Sequence, residues 1–328
     1  MSIAQSDIIL YGSATMPDDG VPTEIGGAID RARKMTFTDL STPGGIELVS
    51  SSASDITQTV TVSFRDTAGI LSSEVQTVSG LTPVAYSATV DRLLKAIKSA
   101  TTVGDLAIMA STAERTGTAQ AGATDSITLD AGASAVDNFF TGMVIRLTSG
   151  TGSDQLRTII KYTGSTKVAI VSRLWGVTPD ATSVFRIARG MLFDKAPNEI
   201  DEVRRVFFDA AADPPGGSTR TFYDKVFFSN EHPTLTLTAA EIQEVVDSPG
   251  VVAFDLEAAL DGTGTNGVGD NREVAPAGFT FDSADKNVAN SQNHTALAAQ
   301  GTWMELTLAA GAAALNFVYQ LREIGNTT

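Results

Sequence analysis

The chain contains no cysteine, so disulfide bridges, thiolate nucleophiles and thiolate metal ligands are all excluded. Histidine is almost as scarce: His232 and His294 are its two occurrences, each in a polar segment. They could pair as metal ligands or as acid–base partners, but neither lies at helical spacing to the other. Their surroundings favour solvent-exposed loop positions for both.

Charge and long hydrophobic runs are also limited. Charged residues make up 19% of the chain and hydrophobic residues 42%, a balance typical of a globular protein. The longest weakly polar stretch, "LTLAAGAAALNFV", is shorter than the ~20 residues that a membrane-spanning helix needs. The first residues, "MSIAQSDIILYG", lack the basic region of a signal peptide. We expect a soluble protein made in a reducing cytoplasm, with no membrane partner.

Acidic residues outnumber basic residues, and the acidic excess is concentrated in the C-terminal part of the chain. The net charge is −15, and residues 189–328 hold 20 acidic and 9 basic residues. Such a surface would repel phosphate backbones, which argues against a nucleic-acid partner. It would also keep many copies of the protein soluble at high concentration.

Short alternating runs dominate the first segment, residues 1–104. In "QTVTVSF" the apolar residues Val60, Val62 and Phe64 alternate with polar ones, as in a strand with one buried face. Several such runs, spaced by Gly, Pro, Asp and Ser, predict an Ig-like sandwich. The run "VDRLLKAIKSA" fits either a helix or a strand with a bulge.

Two further segments follow. Residues 111–126, small and polar, predict a linker or long loop, after which four runs up to residue 188 predict a small barrel-like meander. Residues 189–328 alternate again and predict a larger, acidic sandwich, in which "AAEIQEVVDS" is either a helical turn or an edge strand. The predicted fold is all-β, with three consecutive domains at 1–104, 105–188 and 189–328.

One glycine-rich loop suggests two kinds of ligand. "GTGTNG", residues 262–267, matches G-x-G-x-x-G, but no helix-forming sequence follows to hold a pyrophosphate. Asp261, Asp270 and Glu273 offer hard oxygens for calcium, yet the acids that an EF-hand needs at its third and fifth positions are missing. A flexible loop is the favoured interpretation, and no cofactor or metal is predicted.

Catalysis and sugar binding have no specific signature. There is no G-x-S-x-G elbow, and nothing pairs two carboxylates across a cleft. Trp175, Phe222, Tyr223 and Trp303 could stack on sugars, although aromatic residues in strands are more often core. We therefore predict that the protein is not an enzyme.

Three stretches resemble virion structural proteins of tailed bacteriophages. They are "SDIILYGSATMPDDG…GGAIDRARKMTFTDL" with "SSASDITQTVTVSFRDTAG…VSGLTPVAYS", then "GMVIRLTSGTGSDQLRTIIKYTGSTKVAIVSRLWGVTPDATS", and "GGSTRTFYDKVFFSNEHPTLTLTAA…QGTWMELTLAAG". Within that group the chain is most similar to capsid decoration, or cement, proteins. The resemblance implies a homo-oligomer, such as a trimer, that is assembled in the bacterial cytoplasm and binds the major capsid protein on the capsid exterior.

The resemblance also suggests where partners are bound. The N-terminal domain would contact the lattice while the acidic third faces outward, and Ile8, Ile9, Leu10 and Tyr11 could anchor an arm that adds a strand to a neighbour's sheet. Alternatively, these four residues form the first strand of their own domain. Two other functions stay open: a tail, collar or baseplate structural protein, and a host-glycan-binding adhesin that uses Trp303, Phe222 or Tyr223.

Overall fold

Almost every regular element of the protein is a β-strand. The computed structural model describes residues 2–17, 24–207, 218–247, 250–269, 271–310 and 319–328, and the predicted all-β class is confirmed. The chain divides into two compact units: unit 1 comprises residues 1–35 and 206–328, and unit 2 comprises residues 36–205. In the described ranges no helix is long and apolar enough to cross a membrane.

Unit 1 joins the two ends of the chain. Its elements are a 3-10 turn Gln5–Asp7, β1 (Ile8–Thr15), β2 (Gly26–Lys34), β18 (Arg220–Asn230), β19 (Leu237–Asp247), β20 (Val252–Leu260), β21 (Lys286–Asn287), α1 (Ala289–Gln292), β22 (Ala299–Leu308) and β23 (Tyr319–Thr327). Its strands form two groups, in which neighbouring strands are hydrogen-bonded in the orders β20-β22-β18-β1-β2 and β21-β19-β23. Phe228 and Phe254 from the first group pack with Ile242 from the second in one buried cluster, so the unit is a sandwich.

Unit 2 contains the remaining strands. They are β3 (Ile46–Ser50), β4 (Thr59–Asp66), β5 (Leu71–Thr77), β6 (Val84–Ala85), β7 (Val90–Lys98), β8 (Leu106–Ala110), β9 (Arg115–Thr118), β10 (Ala121–Ala123), β11 (Ser126–Thr128), β12 (Val144–Ser149), β13 (Leu156–Thr163), β14 (Val168–Val171), β15 (Val184–Ala188), β16 (Gly190–Phe193) and β17 (Glu202–Arg204). Four of these strands are hydrogen-bonded to one another in the order β17-β7-β4-β5, and four others in the order β16-β8-β3-β6. The third group is a seven-stranded sheet, β10-β11-β14-β13-β12-β15-β9.

The seven-stranded sheet has its own interior. Phe140, Tyr162, Trp175 and Phe185 are buried together with the alternating aliphatic residues of its strands. Phe140 and Tyr162 stack edge to face with ring centroids 4.9 Å apart. Since all the strands of this sheet come from residues 115–188, the predicted meander corresponds to one continuous module of the chain.

The two compact units differ from the three consecutive domains predicted from sequence. Residues 1–35 pack with residues 206–328, and β16 and β17, which follow residue 188, pair with β8 and β7. Antiparallel pairing between distant segments causes this arrangement. The boundaries at 104 and 188 stay predictions for smaller modules within it.

The ambiguous segments are all strands. "VDRLLKAIKSA" forms β7, whose register against β4 shifts twice, so that Leu93 and Leu94 are both buried; the bulge explains the helix-like spacing. Residues 239–247 of "AAEIQEVVDS" belong to β19, which lies between β21 and β23 and is not an edge strand, and Ser248 lies outside the described residues. The prediction of a linker over residues 111–126 is wrong, because β9 and β10 lie there and pair within the seven-stranded sheet.

Candidate functional site

The predicted anchor residues open strand β1. That strand pairs with β18 from Ile8 onwards and with β2 from Tyr11 onwards. Tyr11 is only 1% exposed, while Ile8 and Leu10 pack against the core of unit 1. The structure therefore matches the alternative in which these residues form the first strand of their own domain. Contact of Ile8, Ile9, Leu10 and Tyr11 with a lattice stays a prediction.

The exposed position predicted for His294 is wrong, because its imidazole is fully buried. Its backbone bridges to Leu237, which brings the ring over β23, where Nδ1 lies 2.5 Å from Glu323 Oε1. Nε2 lies 3.0 Å from the carbonyl oxygen of Ala298. Burial alone would lower the pKa of His294, but the hydrogen bond and charge of Glu323 outweigh it and raise the pKa.

His232 is half-buried and stabilises the local turn, because its Nδ1 accepts hydrogen bonds from the amides of Thr234 and Leu235. The two histidines thus have separate, local roles. In the part of the chain that the structure describes, no three His, Asp or Glu side chains are grouped to hold a metal ion.

The glycine-rich loop at residues 262–267 surrounds a buried ammonium. Lys225 Nζ donates to Glu257 Oε1 at 2.7 Å and to the carbonyl oxygens of Gly27, Gly262 and Gly264 at 2.7, 3.1 and 3.0 Å. Burial lowers the pKa of Lys225, and the Glu257 carboxylate partly opposes that shift. The carbonyl groups of the loop therefore point inward, toward a cation that the protein itself supplies.

The amides of the same loop are also used internally. Gly264 donates to Glu257 at 3.1 Å, and Asn266 donates to the carbonyl of Ile25 at 3.0 Å. Close approach to β2 requires glycine at position 26, where φ is +104° and a Cβ would lie 2.8 Å from the Gly264 oxygen. A phosphate-binding loop needs such amides free for its ligand, so these contacts argue against the dinucleotide interpretation.

Two of the three calcium candidates are already engaged within the chain. Asp261 Oδ1 accepts a hydrogen bond from the amide of Ala299 at 3.0 Å, and Glu273 forms an ion pair with Arg220. The third candidate, Asp270, lies outside the described residues. The structure does not bring Asp261 and Glu273 into one oxygen cage.

The aromatic residues considered for sugar stacking belong to the core. Trp303 is 0%, Phe222 1%, Trp175 5% and Tyr223 8% exposed. Stacking on a sugar requires an open ring face, so the glycan-binding hypothesis is wrong for these residues. The preferred interpretation, that they are core residues, is confirmed.

Strand β5 is an edge strand with exposed apolar side chains. It lies at the end of its group in unit 2 and pairs with β4 over all seven residues without a register shift. Leu71 is 45% and Val75 54% exposed, whereas Ser72, Glu74 and Gln76 on the opposite face are half-buried. This strand therefore turns its apolar residues outward, the reverse of an ordinary sheet surface.

The backbone of β5 offers unused hydrogen-bonding groups. Just beyond the ends of β5, the amide of Val78 donates to the carbonyl of Gln58, and the amide of Asp66 donates to the carbonyl of Ile70. The even-numbered residues of β5 are therefore the ones whose backbone is hydrogen-bonded to β4. In an antiparallel ladder the odd-numbered residues, from Leu71 to Thr77, then direct their N–H and C=O groups away from β4. In the described chain no strand pairs with that side.

An acidic depression lies on the inner face of the same strand. It has a volume of about 520 Å³, and its lining includes Asp66, Ser72, Glu74, Ser87 and Thr89, with no basic residue. Burial opposes ionisation of Glu74, but hydrogen bonds from the amides of Ser87 and Ala88 and from Gln76 together outweigh it and lower the pKa of Glu74. The carboxylate is therefore held ionised.

The sequence pattern alone does not identify β5 as an interaction site. The run "LSSEVQT" contains two apolar residues, and alternation alone does not say which face of a strand is buried. The absence of lysine and proline from this run was the available signal, because natural edge strands are commonly protected by such residues.

No protein family, no curated protein and no solved structure matches the chain.

Proposed function

We propose that this protein is a non-enzymatic structural component of a tailed-bacteriophage virion, which decorates the capsid exterior and bridges neighbouring subunits of the major capsid protein. The observation that carries the proposal is the exposed edge of β5, with outward apolar side chains on an otherwise well-packed β scaffold. Such an edge suits attachment to another protein. The sequence resemblance to virion proteins supplies the kind of partner.

The internal use of the charged residues is consistent with a scaffold. His294, Lys225 and Glu257 are buried and bonded to neighbouring strands and loops. Buried ion pairs of this kind fix a single arrangement of the elements that they join. A decoration protein needs that rigidity, because each copy must span a fixed distance between lattice subunits.

The mechanism would be thermodynamic. A protein that binds the assembled lattice but not the free subunits stabilises the lattice by mass action. Symmetric oligomers engage several lattice subunits together, so modest contacts add up to firm attachment. The excess of acidic residues in 189–328 favours an orientation in which that part faces away from the packaged DNA.

Cosedimentation with phage particles tests this function. The purified protein is mixed separately with undecorated expanded heads, procapsids and isolated tails, and the pelleted fraction is measured against protein concentration. We expect saturable binding to expanded heads alone, at a fixed ratio to the major capsid protein. Binding to tails would instead support the tail, collar or baseplate role, and binding to no particle would overturn the virion function.

A further inference from the structure

We propose that the free edge of β5 binds an extended segment of a neighbouring protein, which adds a strand to the sheet and places a basic side chain opposite Glu74. This inference deepens the proposed function, on which it rests for the kind of partner. It identifies the surface of attachment and the chemistry of the segment that this surface recognises.

The first argument is the unused backbone. Residues 71, 73, 75 and 77 direct their amide and carbonyl groups to the free edge, in a strand that pairs with β4 without a register shift. Natural proteins usually protect such an edge with lysine, proline, a bulge or an inward-pointing charge, and of these β5 has only the inward-facing Glu74. A single acidic residue opposes pairing with another acidic strand but leaves the edge open as a template for a strand with a basic residue at that position.

The second argument is the outward face beside that edge. Val75 lies opposite Thr61, which in turn lies opposite Ile97 on β7, and Ile97 is 39% exposed. Val75 and Ile97 thus flank Thr61 in one row across three strands. A strand added beyond β5 would extend this row, so apolar or β-branched side chains in the bound segment would pack beside Val75 and Leu71.

The third argument is charge. A bound strand places every second side chain on the inner face of the sheet, the face that lines the depression with Asp66 and Glu74. Opposite Glu74 the new pair would be of the non-hydrogen-bonded kind, in which side chains approach most closely. A lysine or arginine of the bound segment at this position would face the Glu74 carboxylate, and no basic residue lines the depression to compete with it.

The same charge argues against a second copy of this chain as the occupant. Glu74 is the central residue of β5, so symmetric antiparallel pairing of two β5 strands would place Glu74 directly opposite Glu74. Like charges directly opposite one another destabilise a strand pair. The net charge of −15 adds general repulsion between copies.

Peptide binding tests the inference directly. The probes are two peptides of the length of β5 that alternate Val and Thr and differ only at the central residue, which is Lys in one and Glu in the other. We expect the Lys peptide to bind at least ~10-fold more tightly by fluorescence anisotropy. It should also slow hydrogen exchange at the amides of Ser73 and Val75. Equal affinity of the two peptides, or no protection of these amides, would overturn the proposal.

Two matched variants separate the edge from general surface effects. Val75→Lys places a charge on the outer face of β5, whereas Val177→Lys makes the same change at a valine that is equally exposed, 54% in both cases, in a loop of the seven-stranded module. We expect Val75→Lys to weaken binding of the Lys peptide at least ~10-fold and Val177→Lys to leave it unchanged. Equal loss in both variants would contradict the assignment to β5.

The head-binding assay distinguishes this inference from the proposed function. If the unaltered protein binds expanded heads and Val75→Lys binds equally well, the virion function stands and the β5 attachment is overturned. If the unaltered protein binds no particle but still selects the Lys peptide, the strand-accepting edge stands without the virion function. Concentration-dependent dimers that Val75→Lys abolishes would overturn the proposal in favour of pairing between copies.

Discussion

His294 and Glu323 form a buried acid–base pair, with 2.5 Å between imidazole Nδ1 and the carboxylate Oε1 and both side chains excluded from solvent. Glu323 lies on the last strand of the chain, and His294 lies in the loop before β22. The pair therefore attaches the terminal strand to the body of unit 1. Breaking it by removing one partner leaves an uncompensated buried group, which costs far more than losing a surface ion pair.

The raised pKa of His294 predicts that unit 1 becomes less stable as pH rises. In the unfolded chain the His294 pKa returns to about 6.5, below its folded value. The charged imidazole therefore stabilises the fold fully below pH ~6.5, and this stabilisation is lost as pH rises through the folded-state pKa. Denaturant unfolding between pH 5.5 and 9, followed by 19F NMR of 5-fluorotryptophan, measures unit 1 through Trp303 and unit 2 through Trp175.

The variant His294→Gln supplies the control. It should lower the free energy of unfolding of unit 1 by about 3 kcal/mol at pH 6 and abolish the decline at higher pH. Replacing both His294 and Glu323 by Leu should restore much of the stability, because no buried charge remains. An unchanged pH dependence in His294→Gln would show that another group is responsible.

Removal of the Lys225 ammonium should loosen the glycine-rich loop. Lys225→Met leaves the Glu257 carboxylate buried without its cation and the carbonyls of Gly262 and Gly264 without their donor. We expect unit 1 to lose about 3–5 kcal/mol and the Gly264 amide to exchange faster with solvent. The double variant with Glu257→Gln should recover part of the loss, since the side chain there is then neutral. A fully protected Gly264 amide in Lys225→Met would contradict this role.

The local elements of the fold were predictable because they depend on alternation. Val60, Val62 and Phe64 are buried on one face of β4, as their spacing predicts, and the strands between residues 126 and 188 appear where the sequence places them. Alternation also misled locally. The bulge in β7 mimics helical spacing, and β9 and β10 are so poor in large apolar residues that they predict a linker.

Which strands pair could not be predicted, because pairing depends on contacts between distant residues. Ile8 pairs with Asn230 and Glu202 pairs with Ile97, and neither pairing leaves a signal in its own segment. The same limit applied to the candidate site. Exposure of Leu71 and Val75 follows from the position of β5 at the end of its group of strands, which only the assembled unit reveals.

Asp105 should be essential for the stability of unit 2. Its Oδ2 accepts hydrogen bonds from Arg157 at 3.2 Å and Arg173 at 2.5 Å, while Oδ1 accepts the amide of Lys195 at 2.8 Å. Burial and the neighbouring Arg173 lower the pKa of Arg157 to about 10, against the opposing effect of Asp105. Asp105→Asn removes the carboxylate charge that both guanidinium groups share and leaves Arg157 only the weaker influence of Asp194.

We expect Asp105→Asn to lower the free energy of unfolding of unit 2 by about 3 kcal/mol, measured through the Trp175 resonance. The matched control is Asp125→Asn at an exposed residue, which should change stability by no more than about 0.5 kcal/mol. Similar effects of the two substitutions would show that the loss reflects net charge and not the Asp105 network.

The ionisation of Glu199 should determine how the stability of unit 2 falls at acid pH. Burial would raise its pKa, but hydrogen bonds from Lys195, Lys98 and the amide of Thr102 outweigh burial and lower the pKa to about 2. A carboxylate whose folded pKa is depressed stabilises the fold above its unfolded pKa, and the stabilisation is lost as pH falls through the folded value. Unit 2 should therefore lose stability between pH ~4.5 and ~2.

The variant Glu199→Gln should be less stable than the unaltered protein at pH 7 and should show a smaller decline over that acid range. Lys98, whose side chain is only 1% exposed, would lose its closest counter-charge in the variant, and this loss explains the lower stability at neutral pH. Unfolding monitored through Trp175 at pH 7, 4.5 and 2.5 gives both quantities. If Glu199→Gln and the unaltered protein declined in parallel, the acid sensitivity would have to arise from other carboxylates of unit 2.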